Sequence, residues 1–170
     1  MSVTEGLIQE FETEAATTRR VLERVPSDRL AWKPHPKSMS MGTLAMHIAS
    51  GPGFITEWAL KDSVEMPGGE GSSEAKSTAE ILTAHDDGAK KTAAGLRSIG
   101  DAGLQRNWKM TNKDGVTLMA MPKAALVRSI VLNHIYHHRG QLSVYLRLLD
   151  IPVPSIYGPS ADENPMAAAH

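Results

Sequence analysis

The chain has 170 residues and a nearly balanced charge, with 18 Lys and Arg against 19 Asp and Glu. This length suits one domain with a hydrophobic core of its own, and the lack of a basic patch argues against nucleic acid as the main partner. The sequence contains no cysteine, which excludes disulfides, thiolate nucleophiles and thiolate metal ligands.

The N-terminal segment predicts a helix from Ser2 to about Arg24, because apolar residues recur there at helical spacing between charged residues. Pro26 ends it, since the residue before a proline avoids the helical region. This segment lacks the pattern of a signal peptide, and no apolar run in the chain approaches the roughly 20 residues of a membrane span. We therefore expect a cytoplasmic protein with no membrane association.

A proline-punctuated connector follows, from Asp28 to Ser40. Within it, Trp32 precedes Lys33-Pro34-His35-Pro36, and we expect its ring to anchor this extended piece on the rest of the protein. The next helix is predicted to begin at Ser40 or Met41, because a serine side chain caps helix N-termini well.

The second helix carries a histidine on its apolar side. At about 100° per residue, His47 lies beside Leu44, Phe54 and Trp58, where the core is expected. Gly51, one turn later, leaves space beside the imidazole. Pro52 removes a helical hydrogen bond and is predicted to kink or break the helix.

A loop over residues 61–76 leads to a third helix, which is predicted to begin at Ser77 or Thr78 and to stop at Gly100. His85 lies on its inner side and is a weaker candidate for metal binding. The neighbouring Asp86 and Asp87 indicate a solvated edge at this point instead.

Residues 101–121 lack the helical spacing of apolar residues and contain short apolar runs instead. Asp114-Gly115 separates two short apolar runs, and this dipeptide between such runs is typical of a β-hairpin. We predict a short hairpin between the third and fourth helices.

The fourth helix is predicted from Pro122 to about Leu149, because proline suits the first turn of a helix. The irregular segment after it, up to Glu163, contains apolar residues and is expected to pack across the helices. We expect residues 1–163 to form a single domain and residues 164–170 to form a disordered tail.

Two histidines of the fourth helix lie on the side that should face the core. His134 and His138 are four residues apart, so their side chains lie one turn apart on one helix face. A buried polar group without a partner costs roughly 1–3 kcal/mol, so each ring needs something to bind. With His47 they form a set of three imidazoles that suits zinc, nickel, iron or copper. Three protein ligands also leave a position for water or substrate.

Other side chains near this pair have less defined roles. His137 forms an alternative i,i+3 pair with His134 but falls outside the apolar stripe, which favours the edge of the site or the surface. Gln141 faces the same way as the histidine pair and is a candidate to orient a ligand. Arg139 is predicted to point to the polar side, and His35, between two prolines, is interpreted as a non-ligand.

Four segments carry a resemblance to a known family, the most specific being the HxxxHRGQ pattern that ends at Gln141. The segments are Trp32-Lys33-Pro34 with Ser38-Met39-Ser40, Leu44-Ala45-Met46-His47-Ile48-Ala49, the run from Asn133 to Leu142, and the run from Val153 to Glu163. On these segments the chain resembles the DinB/YfiT-like superfamily of metal-dependent enzymes.

The resemblance implies an all-α fold, a four-helix bundle of DinB/YfiT-like type that is often a homodimer. It also implies one divalent transition metal (zinc, nickel or iron) held by His47, His134 and His138, the same three residues that the helical positions select. The family includes transferases that act with low-molecular-weight thiols and metal-dependent hydrolases. The expected partner is therefore a small-molecule substrate, with a thiol as a candidate cosubstrate.

Two hypotheses about function remain at this point. One is a metal-dependent enzyme, and the other is a non-catalytic metal-bound module for binding or stress response. No catalytic residue can be assigned. Glu57 points away from His47 on the second helix, and Asp162 and Glu163 reach the site only if the C-terminal segment folds over it.

Overall fold

Four helices and a small three-stranded sheet make up the computed structural model, which describes residues 2–68 and 73–167. The predicted all-α, four-helix-bundle class is confirmed, with the sheet as an addition to it. None of the helices in these two ranges is both long and apolar enough to cross a membrane. The helices are α1 (Val3–Leu22), α2 (Met41–Ala59), α3 (Thr78–Leu104) and α4 (residues 123–148), and the strands are β1 (Ser63–Glu65), β2 (Asn107–Thr111) and β3 (Thr117–Pro122).

Helix α4 is continuous but changes its winding. It begins with the α-helical turn Lys123–Leu126, passes through the π-helical segment Val127–Leu132, and continues as the α-helix Asn133–Leu148. The π-helical segment was not predicted. It immediately precedes the turn that carries His134, and π-helical insertions are rare and often occur at functional sites.

Serine side chains begin three of the helices, as expected from the capping preference of this residue. Ser2 accepts a hydrogen bond from the Glu5 backbone at 3.1 Å, and its own N–H donates to the Glu5 carboxylate at 2.8 Å, which completes a capping box. Ser40 accepts from the Thr43 backbone at 3.1 Å, and Ser77 caps α3 in the same way. The predicted starts of α2 and α3 are therefore confirmed.

Helix α2 continues through Pro52 and is not broken there. Next to this proline, α2 packs closely against α3. A Cβ atom added at Gly53 would lie only 3.0 Å from the Gly88 Cα atom. The Thr56 hydroxyl also donates to the Pro52 carbonyl at 2.8 Å. The helix backbone thus follows α3 across the position where the proline removes a hydrogen bond.

Helix α3 does not stop at Gly100. Gly100 has a φ of 61° and a ψ of 174°, which interrupts the helix with a kink, and helical structure resumes as far as Leu104. A left-handed φ favours glycine, so the residue was correctly identified as a break but not as the end of the element.

The predicted hairpin is confirmed, and a third strand joins it. β2 and β3 pair in antiparallel fashion, with Gly115 in the turn at a φ of 78°. β1 pairs in parallel with β2, opposite Lys109 to Thr111, within the segment that was predicted as a loop. Trp108 is 1% exposed, and its Nε1–H donates to the Trp58 carbonyl at 3.2 Å. This bond ties the sheet to the C-terminal end of α2.

The C-terminal segment packs across the helices, as predicted. The Asp162 carboxylate pairs with Arg147 of α4 and accepts from the Val153 backbone at 2.9 Å, while Glu163 pairs with Arg20 of α1. Of the predicted disordered tail, residues 164–167 form an exposed turn, and residues 168–170 lie outside the described residues. The domain limits of 1 and 163 stay a prediction.

Candidate metal centre

Three imidazoles from two helices meet side by side. His47 extends from α2, and His134 and His138 extend from adjacent turns of α4. The His134 Nε2 atom lies 3.3 Å from the His47 Nε2 atom and 2.8 Å from the His138 Nε2 atom. Within residues 2–68 and 73–167, these are the three histidine or acidic side chains whose ligand atoms all lie within 4.8 Å of one another.

The rings are nearly perpendicular to one another. Their planes cross at 88° for His47 and His134, at 87° for His47 and His138, and at 77° for His134 and His138. Because the close contacts join Nε2 atoms, the Nε2 edges of the rings face one another. The i,i+4 spacing on α4 supplies two of the rings, and the contact between α4 and α2 supplies the third.

Gln141 determines which nitrogen of His138 faces the centre. Its Oε1 atom lies 2.8 Å from the His138 Nδ1 atom, so Nδ1–H donates to the amide oxygen. The Nε2 atom of His138 then carries a lone pair toward the other two rings. A partner that orients a ligating imidazole in this way is a regular part of histidine metal sites.

Burial keeps the three imidazoles neutral. It lowers the pKa of His47 below the usual value, and the neighbouring His138 lowers it further. Burial, together with the adjacent imidazoles, lowers the pKa of His134 to about 4. Burial also lowers the pKa of His138, although the hydrogen bond from its ring to Gln141 acts in the opposite direction. Neutral imidazoles are the form that binds metal ions.

The donor set fits a divalent transition metal. Nitrogen ligands about 2.0–2.1 Å from a tetrahedral ion lie about 3.3–3.4 Å apart. The 3.3 Å between the Nε2 atoms of His47 and His134 matches this separation. The 2.8 Å between the Nε2 atoms of His134 and His138 is a hydrogen-bond distance. It would need to widen by about half an ångström to match the same geometry.

The other histidines of the sequence lie elsewhere. His137 is exposed, with its ring centre 4.8 Å from that of His138, which places it at the edge of the cluster as expected. His35 is exposed, and its Nδ1 atom accepts from the Lys37 backbone at 3.1 Å. His85 is buried on the inner side of α3, as predicted, and its Nδ1 atom lies 3.1 Å from Asp86, while the side chains of Asp86 and Asp87 are partly and largely exposed, respectively, at the predicted solvated edge. His85 does not join the cluster.

The prediction that Arg139 points to the polar side is wrong. The residue is 1% exposed, and its side chain contacts α1 and the C-terminal segment on a different face of α4 from the histidine pair. Its guanidinium pairs with the Glu14 carboxylate at 2.7 Å and donates to the Thr18 hydroxyl at 3.1 Å and the Tyr157 hydroxyl at 2.5 Å. The ring of Tyr136 stacks near the same group, 5.6 Å from its central carbon. Helix α1 and the C-terminal segment cover the side of α4 that was expected to face solvent.

None of the three carboxylates considered as a general base reaches the cluster. Glu57 is exposed and pairs with Lys91 at 3.4 Å. Asp162 pairs with Arg147 of α4, and Glu163 pairs with Arg20 of α1, so both carboxylates hold the C-terminal segment on the helices. The C-terminal segment therefore supplies structural ion pairs.

Comparison with known proteins agrees with the fold. The family model described as the DinB family matches residues 1–166. An uncharacterized protein, YrdA of Bacillus subtilis, is 24% identical over 157 residues, which cover 92% of this chain and 89% of YrdA.

Two solved structures share the fold. A DinB-like protein from Bacillus cereus superposes with a TM-score of 0.71 at 23% identity, over 92% of this chain and 98% of that one. The DinB-like protein YjoA from Bacillus subtilis superposes with a TM-score of 0.67 at 21% identity, over 86% of this chain and 96% of that one. Because the family model spans nearly the whole sequence, the chain belongs to the DinB family.

Proposed function

We propose that this protein binds one divalent transition metal ion, zinc, nickel or iron, through His47, His134 and His138. The observation that carries the proposal is the convergence of three neutral imidazoles, with Nε2 atoms 3.3 Å and 2.8 Å apart, on one side of α4. Because like-charged imidazolium groups at this distance would repel, the cluster is most stable with neutral rings around a cation.

We further propose that the bound protein is a metal-dependent enzyme of the thiol-dependent S-transferase or hydrolase type. Three protein ligands leave at least one coordination position open, which distinguishes catalytic from structural zinc sites. When bound, the metal would lower the pKa of a coordinated water or thiol and so supply a nucleophile at neutral pH. Because the chain has no cysteine, the thiol would come from a low-molecular-weight cosubstrate.

The contribution of the protein to this chemistry is to hold and orient the ligands. Gln141 retains the proton on the Nδ1 atom of His138, 2.8 Å away, and so directs the Nε2 lone pair to the ion. Burial maintains the neutral form of all three rings near pH 7. Both effects are present before the metal binds, and the contact between the Nε2 atoms of His134 and His138 is the part of the cluster that has to open for the ion.

One observation favours a second candidate function, a non-catalytic metal-bound binding or stress-response module. The carboxylates of Glu57, Asp162 and Glu163 are engaged in ion pairs away from the cluster. An enzyme that needed one of them as a general base would have to break such a pair. A metal-bound thiolate needs no such base, which is why we rank the transferase type first.

Metal analysis of the purified full-length protein tests the site. We expect about one equivalent of a divalent transition metal in the wild-type protein, and much less in His47→Ala and His138→Ala variants. His35→Ala is the matched control, because that imidazole is exposed, lies outside the cluster and accepts a backbone hydrogen bond from Lys37. Equal metal content in all four proteins would disprove the three-histidine site.

Activity assays on the metal-loaded protein separate the two functions. The transferase hypothesis predicts consumption of a small electrophile only when a low-molecular-weight thiol is present, and the hydrolase hypothesis predicts cleavage of esters or amides without a thiol. If the loaded protein catalyses neither reaction, and its metal is fully coordinated by protein groups, the non-catalytic module is the better assignment.

We also propose that the protein is a homodimer, on the basis of its membership of the DinB family. Light scattering on the purified protein tests this proposal, with a mass near 37 kDa expected for a pair of 18.4 kDa chains, since 2 × 18.4 = 36.8. A mass near that of one chain would contradict it.

A further inference from the structure

One face of α2 continues from the candidate metal centre into an apolar surface that faces solvent. At about 100° and 1.5 Å per residue, Gly51, Phe54 and Trp58 lie within about 40° of the direction of His47 and follow it by about 6, 10 and 16 Å along the axis. We call these three residues the aromatic shelf. It begins one helical turn from a metal ligand.

The first position of the shelf is open. Among the described residues, a Cβ atom added at Gly51 would have no heavy atom within 4 Å. Side chains on a helix lean toward its N-terminus, so a larger residue at this position would cover the surface beside the His47 ring. Glycine leaves that surface accessible between the imidazole and the two aromatic rings.

The aromatic rings of the shelf pack on each other and on the core beneath them. Phe54 is 50% exposed, and its ring centre lies 4.8 Å from that of Trp58. Trp58 is half-buried and packs on the cluster that contains Trp108 and Leu126. The carbonyl of Trp58 also accepts the indole hydrogen bond of Trp108 at 3.2 Å. An exposed aromatic ring on such a rigid base provides apolar contact area with little loss of conformational entropy.

We propose that the aromatic shelf binds the aryl or similarly apolar part of a small-molecule substrate whose polar atom coordinates the metal. This inference rests on the proposed function, because it assigns a substrate class to the same site. The distance along α2 from His47 to Phe54, about 10 Å, matches one aromatic ring on a short linker from the coordinated atom. Small-molecule sites commonly combine such an apolar wall with a few polar groups.

Two thiols that differ in their apolar part test the shelf on the full-length protein loaded with cobalt(II). Benzyl mercaptan and ethanethiol both coordinate as thiolates, and the resulting charge-transfer absorption gives a Kd for each. We compare the ratio of the two Kd values between variants, so that the intrinsic coordinating strength of each thiol cancels. In the wild-type protein we expect the Kd ratio to favour benzyl mercaptan about ten times more strongly than it does in the variants that lack the shelf.

Two substitutions remove the shelf in different ways. Phe54→Ala deletes the exposed ring, and Gly51→Leu fills the open surface beside His47; each is expected to bring the ratio down by about tenfold. Leu148→Ala and Gly140→Leu are the matched controls, because Leu148 is an apolar helical side chain with 58% exposure and a Cβ at Gly140 also meets no atom of the described residues within 4 Å. Both controls should retain the wild-type ratio.

The outcomes separate the shelf from the metal site. If cobalt does not bind, or binds equally to a His47→Ala variant, the proposed function fails and the shelf proposal fails with it. If cobalt binds at the three histidines but the ratio is the same in all variants, only the shelf proposal is overturned. A change in mass by light scattering in Phe54→Ala without a change in the ratio also overturns it, because the shelf would then contact a second copy of the chain.

Discussion

Helix α4 places polar side chains in the interior on two different faces, and the neighbouring groups on the two faces satisfy them differently. On one face, the Arg139 guanidinium pairs with the Glu14 carboxylate at 2.7 Å. It also donates hydrogen bonds to two hydroxyl groups and lies over an aromatic ring. On the other face, His134 and His138 have another imidazole, from His47, against them.

The difference shows which face is structural and which is suited to a ligand. A buried cation that already has an acid and several acceptors has no need of an external partner, and removing any member leaves a buried charge. A group of imidazoles that would repel when protonated gains most from a cation that all of them can share. Polar burial alone therefore does not indicate function, and the chemistry of the neighbouring groups decides.

The largest effect should follow from breaking the Arg139 side. Arg139→Met leaves the Glu14 carboxylate, 12% exposed, without its cation, so we expect the free energy of unfolding to fall by about 3–5 kcal/mol. Urea unfolding of the metal-free protein measures this loss.

The matched control is Arg128→Met, because Arg128 pairs with Glu10 at the surface, with 47% of its side chain exposed. That variant should lose only about 0–1 kcal/mol. Equal losses in the two variants would show that the buried pair has no special role.

The second effect distinguishes the histidine side by its response to metal. A ligand that binds the folded state only, at 100 times its Kd, stabilises that state by about 2.7 kcal/mol. We expect a gain of this size for wild-type protein and for Arg128→Met on adding zinc, and none for His134→Ala. A His134→Ala variant that is stabilised as much as the wild type would place the metal elsewhere.

A smaller effect is expected at the residue that orients His138. Gln141→Ala removes the amide oxygen 2.8 Å from its Nδ1 atom, and loss of such a partner typically lowers metal affinity by about 10–100-fold. Isothermal titration with zinc measures the change. Ser143→Ala, whose hydroxyl donates only to the Gly140 carbonyl, should leave the affinity unchanged.

The smallest effect concerns pH in the metal-free protein. The pKa of His134 is about 4, below its ordinary value of 6.5. Between these two values the unfolded chain binds a proton that the folded chain does not, so stability falls as the pH falls through this range and levels off below it. The half-buried ring makes the loss smaller than about 1.4 kcal/mol per pKa unit.

A His134→Gln variant tests the assignment of this titration. Its unfolding free energy should change less between pH 6.5 and pH 4 than that of the wild type, since the carboxylates titrate alike in both proteins. Parallel curves for the two proteins would contradict the lowered pKa.

The faces of α2 and α4 that carry the three histidines could be predicted from the sequence, and this was enough to bring the candidate ligands together. The apolar stripes of α2 and α4 are interrupted by His47, His134 and His138. Because both stripes face the same core, the three imidazoles are expected to meet there. The helix caps at Ser40 and Ser77 and the hairpin at Asp114-Gly115 could be predicted for the same reason, because their signals are local.

What could not be predicted depends on distant parts of the chain. Arg139 lies on the polar side of α4 when that helix is considered alone, and only α1 and the C-terminal segment turn that side into an interior. Glu10 and Glu14 on α1, one turn apart, and Tyr157 in the C-terminal segment were the available signal. Strand β1 was missed because its three residues pair in parallel with residues 46 positions later in the chain, Ser63 with Lys109 for example.

The hydroxyl contact between Tyr157 and Arg139 has a consequence for biosynthesis. During translation helix α4 leaves the ribosome before Tyr157 does, so the Arg139 guanidinium at first lacks the Tyr157 hydroxyl as an acceptor. A truncated chain that ends before Tyr157 would never form this hydrogen bond. We therefore expect truncated chains to be cleared by cellular proteases, even though every helix has been synthesised.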